Sequence, residues 1–157
     1  MKPSVYIETS VISYLTAQMS RDLVVAAHQQ LTAEWWERAL PSFEPFVSSV
    51  VLEEIGKGDP GAAKRRAEAV SKFEVLEVIK EVRELADRYF VAIDLPERAR
   101  ADAYHLALAV WHGMDYLVTW NCTHIAGGRV RRTVQGVNVG QGIASPVICT
   151  PEELMEV

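Results

Sequence analysis

The chain has 157 residues, enough for one ordinary domain, and 49% of them are hydrophobic and 24% charged, as in a globular fold with a core. No segment approaches the roughly 20 apolar residues of a membrane-spanning helix, and Glu8 interrupts the N-terminal apolar run where a signal peptide would continue it. The formal net charge of −5 argues against broad, charge-driven binding of nucleic acid. We therefore expect one domain over residues 1–157 that lies in the cytoplasm without membrane contact.

Hydrophobic patterning predicts alternating strands and helices in the first half of the chain. Residues 5–7 are apolar and β-prone, which predicts a buried strand that ends at Glu8, and Thr9 or Ser10 can then cap a helix. The next predicted elements are a helix over residues 22–39 ended by Pro41, a strand over 46–48, a helix carrying Glu53 and Glu54, a helix over 59–71, and a strand over 73–76.

The second half of the chain continues this alternation. Apolar residues between positions 82 and 90 follow the spacing of an amphipathic helix. After a loop at 94–97, residues 99–112 are apolar on nearly every side, which predicts a central, buried helix. The last predicted elements are a strand over 116–120, a helix over 129–138, a strand over 147–149, and a short C-terminal helix opened by a capping box at 150–153.

This order of elements indicates an α/β fold in which helices sandwich a parallel β-sheet in three layers, because the strands are uninterrupted apolar runs. In parallel sheets the active site lies beyond the carboxyl ends of the strands. Glu8 and Asn121 both follow the end of a predicted strand, so we expect them to point into the same crevice.

Two further acids complete a candidate site: Glu54, on the helix after the second strand, and Asp102, near the start of the buried helix. Alone, each acid has an ordinary structural explanation. Together they would repel, by roughly 4 kcal/mol per pair at about 4 Å and an effective dielectric near 20. We therefore expect a compensating cation and, without it, a raised pKa on at least one carboxyl group. Oxygen ligands favour Mg²⁺ or Mn²⁺.

Four segments resemble, in order, the motifs of PIN domains, and most closely those of VapC-type toxins of type II toxin–antitoxin pairs. The segments are residues 5–11 (VYIETSV), 48–55 (SSVVLEEI), 100–109 (RADAYHLALA) and 116–125 (YLVTWNCTHI). In the second motif the acid precedes an aliphatic residue, which selects Glu54 over Glu53. The chain departs from the pattern where Glu8 replaces the usual aspartate, and where Asn121 and His124 stand in place of acids found in many relatives.

The resemblance implies a PIN-like, Mg²⁺- or Mn²⁺-dependent endoribonuclease that is the toxin of a toxin–antitoxin pair. Glu8, Glu54, Asp102 and Asn121 would be catalytic, with Glu8 and Asp102 binding the metal directly. The implied reaction is metal-assisted hydrolysis of RNA phosphodiester bonds, in which the metal activates water and neutralises charge on the phosphate. The resemblance also implies RNA as substrate, a small antitoxin protein as partner, and a homodimer.

An acidic protein needs local positive charge to hold RNA. Arg129, Arg131 and Arg132 follow the fourth motif, and we predict that they bind the phosphate backbone near the crevice. Thr9 and His124 are further candidates for contact with substrate. Two alternatives stay open for these residues: the arginines could serve dimer or antitoxin contacts, and His124 could make only a structural bond at a helix start.

Two rival interpretations of the whole chain also remain. One is a catalytically weak PIN-like interaction module that binds a partner protein or RNA without cutting, which the departures at Glu8 and Asn121 support. The other is a receiver-like phosphoacceptor, which needs an aspartate at a strand end where this chain has Glu8. His105, three residues after Asp102 on the same helical face, is interpreted as a core or supporting histidine instead of a metal ligand.

Overall fold

A computed structural model describes residues 1–155 and contains one sheet of five parallel strands, in the order β3-β2-β1-β4-β5. The strands are β1 (Ser4–Ile7), β2 (Glu44–Ser48), β3 (Glu74–Leu76), β4 (Tyr116–Val118) and β5 (Val147–Cys149). β1 is the central strand, and it pairs with β2 on one side and with β4 on the other. The predicted parallel sheet is confirmed.

Helices flank this sheet. Within residues 1–155 they are α1 (Thr9–Thr16), α2 (Leu23–Glu34), α3 (Ser49–Ile55), α4 (Pro60–Ala69), α5 (Lys80–Ile93), α6 (Arg100–Trp111) and α7 (Gly128–Gln141). α5 packs against α6 and α7, and α1 packs against α2, α3 and α4. The predicted three-layer α/β class is thus confirmed. Over the same residues, no helix combines the length and apolar character needed to cross a membrane.

The core explains why the central elements carry almost no polar residues. Val5, Tyr6 and Ile7 of β1 are all 0% exposed, since a central parallel strand is covered on both faces. α6 is buried along nearly all of its length beyond its first turn, as the apolar character of residues 99–112 predicts. The carboxyl ends of β1 and β4 lie side by side, with Ile7 paired to Val118. Residues that follow these two strands therefore share one edge of the sheet.

The predicted helix over residues 22–39 is confirmed up to Glu34, but its last five residues do not continue as an α-helix. The α-helix ends at Glu34 and continues as a π-helical turn (Trp35–Ala39) and a short 3-10 helix (Leu40–Ser42). The amide of Leu40 donates to the carbonyl of Trp35, five residues earlier, whereas the hydrogen bonds of an α-helix span four residues. Trp35 is buried in this turn, so tertiary packing outweighs the regular helical repeat there.

Two other predicted elements are shorter in the structure. β4 ends at Val118 because the Trp120 amide donates to the Ser10 hydroxyl at 2.9 Å instead of continuing a strand. At the C-terminus the capping box forms, with reciprocal bonds between Thr150 and Glu153 at 2.9 and 3.2 Å. It closes a turn over residues 151–154 and not a helix. The end of the predicted helix, at residues 156 and 157, lies outside the described residues.

The loop between β4 and α7 turns tightly just before the helix. The amides of Ile125 and Ala126 both donate to the carbonyl of Asn121, at 3.1 and 2.8 Å. A Cβ atom on Gly127 would lie 2.4 Å from the carbonyl oxygen of Cys122, so only glycine fits this position. This turn fixes how the residues after β4 face the edge of the sheet.

Candidate active site

Glu8 follows β1 directly, and its carboxylate is buried at the edge of the sheet with 4% exposure. Its Oε1 atom accepts hydrogen bonds from the hydroxyl groups of Ser10 and Thr119, both at 2.5 Å. Thr119 follows β4, the strand next to β1, so the sheet itself brings this donor to Glu8. No donor among residues 1–155 bonds to the other carboxylate oxygen, Oε2.

Glu54 lies near the end of α3, the helix that follows β2, and reaches the same edge. Its Oε1 atom accepts hydrogen bonds from the Thr9 hydroxyl and from His105 Nε2, both at 2.6 Å. As with Glu8, no donor among the described residues bonds to Oε2. Burial favours the neutral form of Glu54, but the bonds from His105 and Thr9 and the nearby Lys57 charge outweigh it and lower the pKa of Glu54.

His105, on α6, lies between the two glutamates and is completely buried. Its Nε2 atom is 3.9 Å from Glu8 Oε2, in addition to its bond to Glu54. Burial alone would lower the pKa of His105, but the carboxylates of Glu54, Glu8 and Asp102 outweigh it and raise that pKa. The expectation of a raised pKa is therefore wrong for the carboxyl group of Glu54, because an imidazole supplies a donor between the acids.

Asp102 lies in the first turn of α6 and bonds to a different histidine. Its Oδ2 atom is 3.0 Å from Nδ1 of His124. Glu8, Glu54 and His105 offer ligand atoms that all lie within 4.8 Å of one another, and Asp102 lies outside this group. The structure thus brings together two of the predicted acids around His105, and holds the third acid close enough for its charge to act on the same imidazole.

Asn121 lies in the loop after β4, where its side chain makes a structural bond. Its Oδ1 atom accepts a hydrogen bond from the backbone amide of His124 at 3.0 Å. This bond closes the turn that holds His124, whose side chain faces Asp102. The side-chain oxygen of Asn121, which the resemblance marks as catalytic, is therefore already used, in part, to shape the loop.

The predicted phosphate-binding arginines differ in their surroundings. Arg131 is engaged with protein partners: it donates to the carbonyl of Ala126 at 2.6 Å and pairs with Glu153 at 2.8 Å. Arg129 is exposed and donates to the carbonyl of Ile93 at the end of α5, at 3.3 Å. Arg132 is exposed, with no bonding partner among residues 1–155. Of these three arginines, Arg132 is therefore the one whose side chain remains available to bind a ligand.

Sequence reasoning missed two of the side chains around the glutamates, Thr119 and Tyr6. The interpretation of His105 as a core or supporting histidine agrees with its buried position and its bond to Glu54. Thr119 gave a weak signal, a hydroxyl at the end of the strand that neighbours β1. Tyr6 gave none, because a tyrosine in a buried strand is usually a core residue.

The donor set fits a divalent cation. Two carboxylates each keep one oxygen without a hydrogen-bond donor, and a third acid, Asp102, lies close by. Carboxylate oxygens are the ligands that hard divalent cations such as Mg²⁺ and Mn²⁺ prefer, whereas an imidazole also binds transition metals such as zinc. Glu8, Glu54 and His105 are thus a group that could hold a metal ion.

Solved structures identify the fold, whereas no protein-family model and no curated protein matches the sequence. The class of fold is PIN-like. The VapC20 toxin of Mycobacterium tuberculosis, described as cleaving the sarcin–ricin loop, matches with a TM-score of 0.60 and 20% identity, over 76% of this chain and 92% of that chain. VapBC2 of Rickettsia felis, solved with a promoter DNA fragment, matches with a TM-score of 0.53 and 11% identity, over 93% and 97% of the two chains. The predicted resemblance to VapC-type proteins is thus confirmed at the level of the fold.

Proposed function

We propose that the chain is a Mg²⁺- or Mn²⁺-dependent endoribonuclease that hydrolyses RNA phosphodiester bonds. The observation that carries the proposal is the pairing of Glu8 and Glu54 around His105 at the carboxyl edge of a PIN-like sheet. Oε1 of each glutamate accepts two hydrogen bonds from the protein, which leaves Oε2 for a ligand. A divalent cation, when bound, would stabilise the negative charge that develops on the phosphate during hydrolysis.

The site residues would have different roles in this reaction. Glu8, Glu54 and Asp102 would hold the cation, with Glu54 given a more direct part than the sequence motif suggests. Asn121 would keep the loop after β4 closed through its bond to the His124 amide. His124, bonded to Asp102 through Nδ1, would present Nε2 to a phosphate oxygen of the substrate.

Positive charge at the site would then come from a small number of residues. Lys57 lies close enough to lower the pKa of Glu54, and it stands one turn beyond that residue. Arg132 is exposed on α7. These side chains would contact the RNA backbone, where the net charge of −5 would otherwise repel it.

We further propose that the protein is the toxin of a toxin–antitoxin pair. Support comes from the fold shared with VapC20, which is described as a toxin, and with VapBC2. On this proposal the chain acts in the cytoplasm on RNA, forms a homodimer, and is inhibited by a small antitoxin protein.

The alternative is an interaction module that binds RNA or protein without cutting. Two bonds favour it, since Asp102 Oδ2 faces His124 and Asn121 Oδ1 accepts the His124 amide. In such a module these two oxygens would only hold His124 and its loop in place. The two functions differ in one measurable property, because only the ribonuclease would cleave RNA in a metal-dependent reaction.

The test is cleavage of a structured RNA and of a single-stranded RNA, with and without Mn²⁺, by a pair of neighbouring variants. Glu54→Gln keeps the size of the side chain but removes its charge, so cleavage should fall on the order of 100-fold. Glu53→Gln is the matched control, because Glu53 is 74% exposed and faces Lys57, so its cleavage should equal that of the unmodified protein. Cleavage that survives in Glu54→Gln, or that needs no divalent cation, contradicts the proposal.

A further inference from the structure

A chain of hydrogen bonds connects the interior of the protein to the acidic group. It begins at the backbone amide of Val51, which donates to the Ser48 hydroxyl at 3.1 Å. The Ser48 hydroxyl lies 2.8 Å from the Tyr6 hydroxyl, which lies 2.7 Å from His105 Nδ1. His105 Nε2 then reaches Glu54 Oε1 at 2.6 Å. Ser48, Tyr6 and His105 are all 0% exposed, so water does not compete for these bonds.

The two ends of this chain fix the direction of every bond within it. The Val51 amide can only donate, and the ionised Glu54 carboxylate can only accept. With one hydrogen each on Ser48, Tyr6 and His105, all four bonds form when each group donates towards Glu54. In the reverse direction, Ser48 would accept two bonds and its own hydrogen would have no acceptor among residues 1–155. Because Glu54 can only accept, the hydrogen-bond chain places a hydrogen on Nε2 of His105.

An imidazole held in this way cannot use Nε2 to coordinate a metal, because that nitrogen carries the hydrogen bonded to Glu54. His105 and Thr9 instead both donate to Oε1 of Glu54, and Oε2 accepts no hydrogen bond from residues 1–155. In the same way, Ser10 and Thr119 both donate to Oε1 of Glu8. Both carboxylates thus have one oxygen bonded by the protein and one oxygen open to a ligand.

We propose that His105 is a positioning residue that orients Glu54 for cation binding through its Nε2–H group, and that it is not itself a metal ligand. This inference rests on the proposed metal-dependent function. The competing possibility is that His105 coordinates the cation together with both glutamates, since the three ligand atoms lie within 4.8 Å of one another. That possibility requires the loss of the bond between His105 and Glu54.

Pulsed electron paramagnetic resonance of bound Mn²⁺ tests the inference on the unmodified protein. The expected spectrum lacks the strong ¹⁴N coupling of a directly coordinated nitrogen. A strong ¹⁴N coupling that disappears in His105→Gln would overturn the inference, because it would identify His105 as a ligand. This measurement needs no RNA and no activity.

Mn²⁺ affinity, measured by calorimetric titration, tests the positioning role. His105→Ala should weaken binding by about 10- to 100-fold, the usual effect of removing a group that orients a metal ligand. His105→Gln keeps an N–H donor at a similar position and should restore most of the affinity. Tyr6→Phe should weaken binding, since the imidazole loses the donor that fixes its orientation. His112→Gln is the control, because within residues 1–155 the His112 ring bonds to the carbonyl of Glu77 and to none of the acids of the site. If His105→Ala bound Mn²⁺ as tightly as the unmodified protein, the positioning role of His105 would be overturned.

¹⁵N nuclear magnetic resonance of the histidine rings separates failure of this inference from failure of the proposed function. Nε2 of His105 should carry a hydrogen, whether or not a cation binds. A His105 ring with no hydrogen on Nε2 would overturn the inference by itself. Complete absence of Mn²⁺ binding would instead overturn the metal-dependent function.

Discussion

At the scale of single residues, the cost of burying a carboxylate decides how this site is built. Glu8 is 4% exposed, and an ion taken out of water is strongly destabilised unless hydrogen bonds replace its hydration. Ser10 and Thr119 provide such bonds, each of which contributes roughly 1.5–3 kcal/mol when the acceptor is charged. The short hydroxyl side chains around the acids are therefore part of the site, and not only caps of nearby helices.

One glycine offers a sharp test of how the loop after β4 supports this arrangement. Gly127→Ala places a Cβ atom 2.4 Å from the Cys122 carbonyl oxygen, so the loop that holds Asn121 and His124 must shift. We expect the variant to lose about 1–3 kcal/mol of stability in denaturant unfolding.

Gly128→Ala is the matched control for this loop variant. Gly128 has no neighbour within 4 Å of a Cβ atom and begins α7, so the same change there should leave stability equal or slightly higher. Equal losses in the two variants would show that the close approach at Gly127 is unimportant.

The sequence predicted where the acids of this site lie, but not how they are held. A strand end and a helix start are local features, so Glu8, Glu54 and Asp102 could be placed at one edge from pattern and motif order. The bond between His105 and Glu54 joins residues 51 positions apart, and the bond between Thr119 and Glu8 joins residues 111 apart. Such pairs depend on strand order and on the angle between helices, which periodicity does not specify.

At the scale of elements, two arginine side chains connect helices to neighbouring parts of the fold. Arg66 of α4 donates to the carbonyls of Ile55 and Lys57, at 2.9 and 2.6 Å, and so closes the end of α3, the helix that carries Glu54. Arg131 of α7 ties that helix to the C-terminal turn through Glu153. Each arginine therefore has a structural use that composition alone does not reveal.

Arg131 and Arg132, two of the three arginines of α7, should separate stability from RNA binding. Arg131→Ala breaks the pair with Glu153 and the bond to the Ala126 carbonyl, so it should lower the melting temperature. Arg132→Ala should leave the melting temperature unchanged. Because Arg132 is exposed, its loss should weaken binding to all single-stranded RNAs alike and reduce the salt slope by about 0.7.

Melting curves and RNA titrations at several salt concentrations measure both effects. An unchanged salt slope in Arg132→Ala, together with a lost dimer or antitoxin complex, would assign this arginine to protein contacts.

At the scale of the whole molecule, a bound cation should stabilise the fold, since it binds the native state and has no preformed site in the unfolded chain. At 100 times its Kd, Mn²⁺ should add about 2.7 kcal/mol, or about 5–10 °C in melting temperature for a domain of this size. Glu8→Gln should remove most of this shift, and chelation of the metal should reverse it. Differential scanning calorimetry measures the change.

The control for this measurement is Glu44→Gln, because Glu44 is exposed at the opposite end of the sheet, at the start of β2. It should keep the full Mn²⁺ shift. A shift of equal size in Glu8→Gln would place the cation elsewhere on the protein.

The position of β1 in the sheet has a consequence for synthesis of the protein. The central strand β1 leaves the ribosome before its partner β4, which comes more than a hundred residues later. Until then Glu8 lacks the bond from Thr119, and the edge of the sheet on which the acids meet does not exist. An incomplete nascent chain therefore cannot assemble the site, and the geometry on which the proposed activity depends forms only after most of the chain has been made.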